Sequence, residues 1–228
     1  MAGSLYLGSQ KVCPSILVGG PEPTEYVTIK FPDDPSFTGG ISGSYIEAVN
    51  SSGNTIPLVI DLNKLETIVE STFNYGFRNA SRVIFKNLDS VKTIGDSAFY
   101  GAFVNATFES GYTDLIFENA TEIGKRAFAT GFYNSNITSL RLPKVTILPE
   151  TGSPFMYFGS GTPGFHIYFN SVVASSFSNV NVLADSCAGI TGNTFHFPSN
   201  LSDVIPNLTG YPNFSGTNTT ILYDLEAT

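Results

Sequence analysis

Tryptophan is absent from this chain, and only two cysteines, two methionines and two histidines occur among its 228 residues. Cys13 and Cys187 lie far apart, which excludes a disulfide framework; both read as small buried hydrophobes. Basic residues are few: 11 Lys and Arg stand against 19 Asp and Glu, a formal charge of −8. A phosphate backbone needs clustered cations, so nucleic acid is excluded as a partner. No apolar run approaches the ~20 residues of a membrane-crossing helix, and no membrane partner is expected. The opening MAGSLYLGSQKVCPSILVGG has no basic n-region, and Gly8, Ser9, Gln10 and Lys11 interrupt its apolar residues, so it does not read as a secretory leader. On that reading the nine Asn-x-Ser/Thr sequons, among them Asn105, Asn119 and Asn218, are turn chemistry and not glycosylation sites.

What the chain has in quantity is 22 Gly, 19 Phe and 11 Tyr, with only 13% charged residues. Aromatics and turn formers at low charge suit a β-rich solenoid or sandwich better than a helical bundle. One phrase, Ile-x4-Phe-x3-Phe-x-Asn, occurs three times without a gap. Its copies are Ile68/Phe73/Phe77/Asn79, Ile94/Phe99/Phe103/Asn105 and Ile123/Phe128/Phe132/Asn134, spaced 26 and 29 residues apart. Such periods signal a solenoid, in which one unit cannot bury its apolar residues until a neighbour stacks on it. After each phrase comes a short apolar run: VIF at 83–85, LIF at 115–117 and LRL at 140–142. IYF at 167–169 and FHF at 195–197 continue the series. Stacked, these would form a parallel ladder with one strand per coil. The Phe-x3-Phe pair reads as a short helical turn opposite the strands, and the recurring Asn as a partner for backbone groups at the bend.

The expected organisation has three parts: an N-terminal β module at 1–62, a solenoid at 63–200 and a C-terminal cap at 201–228. The module rests on EYVTIKF, which alternates as a half-buried strand does, and on the apolar run IPLVIDL. The cap reads as a short helix, with Leu201, Val204, Ile205 and Leu208 on one side, followed by a turn and a final strand.

The phrases IGDSAF and IGKRAF, with the LPKVTIL step that follows, resemble leucine-rich repeats of the BspA type over roughly 63–200. In the first copy Val69 replaces the Gly and Thr72 the Ala, so a distorted first coil is expected. The family occurs in bacterial and protist surface proteins and in gut phage proteins; the resemblance implies ligand or surface binding without catalysis. SLYLGSQKVCP resembles the start of some phage tail or virion proteins, in which an N-terminal β module docks on the particle. These resemblances imply a virion protein assembled in the host cytoplasm. Its residues 1–62 would contact other virion proteins, it would form a homo-oligomer in the assembly, and its solenoid would meet a host surface glycan or protein. A bacterial cell-surface adhesin is the alternative setting, and a glycan-active enzyme the least favoured class.

Catalysis needs converging acids, a nucleophile with its base, or metal ligands, and the sequence offers no such constellation. No cofactor and no metal site is expected. Asp33 and Asp34 sit in a Pro-rich turn and read as solvated, with a weak calcium site as the other option. His166 and His196 fall in ladder strands. In those strands the middle residue should face outward, giving a column Ile84, Ile116, Arg141, Tyr168, His196. Arg82 should then meet Asp114, and Lys86 should meet Glu118, on the next rung. The end of this face that carries Arg141, Tyr168, His166 and His196 combines a cation, a stackable ring and imidazoles, and is the candidate binding site.

Overall fold

Val83 and Phe85 flank Ile84, and Leu115 and Phe117 flank Ile116. An extended segment with that pattern buries two residues on one side and exposes the one between. The computed structural model describes residues 5–7, 10–12, 15–19, 24–34, 56–158, 164–177, 193–203 and 220–226. Cys13, Cys187 and the helix expected around Val204, Ile205 and Leu208 lie outside the described residues. The chain is a parallel β-solenoid of about five turns with almost no helix.

Its strands, in order, are β1 (Leu5–Leu7), β2 (Gln10–Val12), β3 (Ser15–Gly19), β4 (Thr24–Lys30), β5 (Leu58–Asp61), β6 (Thr67–Ile68), β7 (Val83–Lys86), β8 (Thr93–Ile94), β9 (Asp114–Ile116), β10 (Glu122–Ile123), β11 (Ser139–Arg141), β12 (His166–Tyr168), β13 (Thr194–Pro198) and β14 (Thr220–Leu225). β1 and β2 form an antiparallel pair, and β3 runs antiparallel to β4. From β4 onward every pairing among the described residues is parallel: β4–β5–β7 in one sheet, β9–β11–β12–β13–β14 in a second and β6–β8–β10 in a third. The parallel ladder therefore extends back across residue 62, since β4 and β5 are rungs beside β7. β14 adds a rung at the far end, with exposed and half-buried residues alternating along it.

Inside, the phrase does what its repetition implies. Phe73, Phe99, Phe128 and Phe155 form one column, with centroids 4.9, 5.0 and 5.8 Å apart and rings within 14° of parallel. Phe77, Phe103 and Phe132 form a second column at 5.2 and 5.1 Å. Phe158 closes it edge-on at 5.6 Å, so SPFMYF, which lacks the repeat spacing, is nevertheless a fourth unit. Ile68, Ile94 and Ile123 align along the third sheet. All of these side chains are buried, as are the inward strand residues from Val83 to Phe197. Each buried Phe contributes about 1.5–3 kcal/mol from burial, and stacked pairs add about 0.5–1.5 kcal/mol.

The segment holding the two Phe residues is not helical. It is a run of turns with left-handed backbone at the same four places in every copy: Ser71/Ser97/Arg126, Tyr75/Gly101/Thr130, Phe77/Phe103/Phe132 and Asn79/Asn105/Asn134. A helix would satisfy its N–H groups within one coil. Here they cross to the neighbour: Phe73 N donates to Ala98 O at 2.8 Å, Phe99 N to Ala127 O at 2.7 Å, and Phe103 N back to Gly76 O at 2.9 Å. Left-handed backbone also explains the Asn, which tolerates it better than most residues. Its side chain does not bond the bend's backbone, as the sequence suggested. Asn105 Nδ2 donates to Asn79 Oδ1 at 3.0 Å and Asn134 Nδ2 to Asn105 Oδ1 at 3.0 Å, a ladder of amides up the outside.

The first coil is not distorted. Thr72 is buried with its hydroxyl donating to Val69 O at 2.9 Å, and Phe73 and Phe77 keep their columns. Gly124 is needed because a Cβ there would lie 2.4 Å from the backbone N of Asp96 in the coil below. Val69 adjoins β6, the edge strand of its sheet, which has no further rung beyond it among the described residues.

One expected pairing fails. β7 does not meet β9; Val83 bridges Phe108, with Val83 N donating to Thr107 O and Glu109 N to Val83 O. A turn closed by Tyr112 N on Glu109 O then leads to β9. The 32-residue step from 83 to 115 contains this detour. Arg82 consequently pairs with Glu109 in place of Asp114, and Lys86 lies over the Tyr26 ring at 5.8 Å.

Phe99 sits between two stacked partners, so Phe99→Ala should remove about 3–5 kcal/mol of stability, measured by denaturant unfolding. A loss under about 1 kcal/mol would mean the column is not the core's support.

Candidate functional site

Rungs β9, β11, β12, β13 and β14 hold outward side chains in columns. The register aligns Ile116 with Arg141, Arg141 with Tyr168 and Tyr168 with His196; beside them Ser139, His166 and Thr194 align. From Ile116 onward these are the columns the strand pattern implies; Ile84, expected at their head, lies instead on β7 beside Val59. A parallel ladder brings such residues together because adjacent rungs are only ~5 Å apart.

The four candidate residues make one continuous row. Arg141 Nε donates to the Asp114 carboxylate at 3.1 Å, and its guanidinium lies 4.0 Å from the Tyr168 ring centroid. Tyr168 stacks on His196 at 4.1 Å and 12°. His166 Nδ1 is 2.9 Å from His196 Nε2, and His196 Nδ1 is 2.9 Å from Asp224. Ser139 Oγ donates to Asp114, so that carboxylate is held by two side chains. The row ends in a carboxylate on each side, with a cation, a phenol ring and two imidazoles between.

The hydrogen-bond roles follow from chemistry. An ionised Asp224 only accepts, so His196 Nδ1–H donates to it; in the neutral ring Nε2 then accepts from His166 Nδ1–H. His196 is 6% exposed, closed in by Tyr168, His166 and Asp224. His166 is half-buried, and burial is the main cause that holds its imidazole below the usual value of 6.5. The positive charge of a protonated His196 and that of Arg141 act in the same direction, while Asp224 opposes them. Asp114 and Asp224 are 38% and 47% exposed, so the ion pairs at the ends are solvent-screened and contribute little to stability.

Two members of the row were not expected there. Asp114 was assigned to Arg82 across a pairing that does not form. Asp224 lies on β14, whose TILYDL alternates as a strand does and follows FHF at nearly the same step as earlier rungs. Elsewhere, Asp33 pairs with Lys64 at 3.0 Å. Among the described residues no group of three or more His, Cys, Asp and Glu side chains could hold a metal ion, and no helix is long and apolar enough to cross a membrane.

No family model matches the chain, and no curated protein or solved structure matches it either. The likenesses to BspA-type repeats and to phage proteins therefore rest on the motifs alone.

The depressed His166 value sets a pH dependence. In the window below 6.5 the unfolded chain binds this proton more readily than the folded one, so stability is full above that value and declines as pH falls through it. Ring-proton NMR should give His166 a midpoint below 6.5. The fall in Tm between neutral and mildly acid buffer should be smaller in His166→Gln than in the parent chain. An equal fall in both would remove His166 as the cause.

Proposed function

We propose that the chain is a non-enzymatic recognition protein of a phage virion, built on a leucine-rich-repeat solenoid of the BspA type and docked through a small N-terminal β module. The observation that carries the binding role is the row from Asp114 to Asp224. Each side chain in it is fixed by its neighbour on the next rung, so the face presents a cation, a ring and an imidazole already in place. Binding to such a surface loses little side-chain entropy. The ligand in this reading is a host surface glycan or protein. The enclosed position of His196 favours a structural part for that ring over proton transfer to a substrate.

Support for the setting comes from SLYLGSQKVCP and from the change in pairing at β3 and β4. The strands before β4 pair antiparallel, unlike the parallel rungs that follow, and β3 borders β4 at the edge of the first ladder sheet, a break in the repeat that fits a separate role for this end. Several copies on one particle would turn weak contacts into useful avidity. IG-x-x-AF taken alone fits a bacterial cell-surface adhesin equally well, and particle incorporation separates the two.

Fluorescently labelled protein should bind host cells saturably, and Arg141→Ala or Tyr168→Ala should weaken that binding about tenfold without lowering Tm by more than a few degrees. Unchanged binding by both variants would sink the sheet-face site. Deleting residues 1–23, which spares β4 and the ladder, should leave the solenoid folded by circular dichroism but abolish incorporation into purified particles. Normal incorporation of the shortened chain would end the docking reading.

A further inference from the structure

The wall of turns carries a feature that the sheet-face row does not use. Tyr75, Tyr100 and Tyr133 line a groove of about 390 Å³ together with Arg78, Gly101 and Asn105. Tyr75 is 45% exposed and Tyr133 44%. Single exposed aromatics are ordinary, but several sharing one groove call for an explanation.

Backbone preference does not supply it. Tyr75 has φ 52°, a left-handed conformation that suits Gly or Asn and disfavours bulky residues; the matching position one coil on is Gly101. Core packing does not supply it either, because the ring stays largely outside. Tyr75 lies over Gly101, where an added Cβ would be 2.6 Å from the ring. The small residue therefore makes room for the aromatic on the neighbouring coil. Tyr75 and Tyr100 sit edge to face at 5.3 Å, and a hydrogen bond between the two side chains is the main cause that raises the Tyr75 phenol above its usual value. The two rings thus hold each other in place.

The groove's other groups narrow the ligand. Asn105 belongs to the amide ladder with Asn79 and Asn134. The ladder uses one N–H of Asn105 toward Asn79 and one oxygen lone pair toward Asn134, which leaves its second N–H and second lone pair for a ligand in a fixed orientation. Among the described residues Arg78 is the one cation of the groove and no acidic residue lines it, which argues against a cationic ligand. Phenol rings for stacking, oriented amides and a guanidinium form a set that matches the apolar ring faces and vicinal hydroxyls of sugars. The coil spacing of ~5 Å is close to the advance per pyranose in an extended chain.

We propose that this groove binds a glycan, with Tyr75 and Tyr133 as stacking platforms, Asn105 reading hydroxyls and Arg78 accommodating a carboxylate where the sugar carries one. The site lies on a different wall from the row at Arg141 and does not depend on the role proposed for that row.

The full chain should be applied to a panel of immobilised oligosaccharides: neutral hexose and N-acetylhexosamine fragments in one arm, uronate- and sialate-bearing fragments in the other. Binding in at least one arm is expected. Tyr75→Ala and Tyr133→Ala should each weaken it about tenfold at unchanged Tm, and Lys64→Ala, at an exposed residue that belongs to neither proposed site, should leave it unaltered. Arg78→Ala should weaken the acidic arm selectively if that arm binds. No binding in either arm, or full binding by both tyrosine variants, overturns the proposal, as does an equal loss of the same binding in Lys64→Ala. If a tyrosine variant fails to fold, the bound fragment's effect on the parent's tyrosine fluorescence replaces it, readable because the chain has no tryptophan. A change on titration then supports the groove, and none refutes it.

Discussion

Everything in this molecule depends on one coil lying directly on the next. A single coil cannot enclose two phenylalanines and an isoleucine, and its turns leave N–H groups pointing out of its own plane. Both needs are met by the neighbour: Phe99 is covered by Phe73 and Phe128, and its N–H finds Ala127 O. Apolar burial and backbone hydrogen bonding thus demand the same axial alignment. That agreement is why four left-handed positions per coil are tolerated, although each is unfavourable for a residue other than Gly or Asn.

The sheet face inherits its order from this alignment. Arg141, Tyr168 and His196 are separated by more than two dozen residues each, yet the register places them within stacking distance. Nothing in the loops needs to aim them. The wall of turns presents side chains under the same constraint, which is why the asparagines form a ladder.

Much of the architecture was legible because its signals are periodic. Ile68, Ile94 and Ile123 and the two Phe columns could be read from spacing, and so could the register from 114 to 196, since apolar residues flank one outward residue on each rung. Two things were not. Phe-x3-Phe mimics the spacing of a helical face, and only the recurring Asn at a fixed offset hinted that the backbone was left-handed there. The pairing of Arg82 was misjudged because a count of 32 residues looks like a long coil, whereas the extra length is spent on a bridge at Phe108 and a turn. In the site, Asp224 belonged to a strand whose alternation was visible but whose place in the ladder depended on a stretch outside the repeat phrase.

The turn between Glu109 and Asp114 shows how the solenoid treats chain length. Coils before and after it differ by several residues, yet the Phe99 and Phe128 rings remain stacked and nearly parallel across the interval. The stack keeps count of levels and is indifferent to the contour spent between them. Surplus chain is shed sideways at that corner, so the interior carries no record of it, and variation in loop length on the rim is decoupled from the geometry of both outer walls.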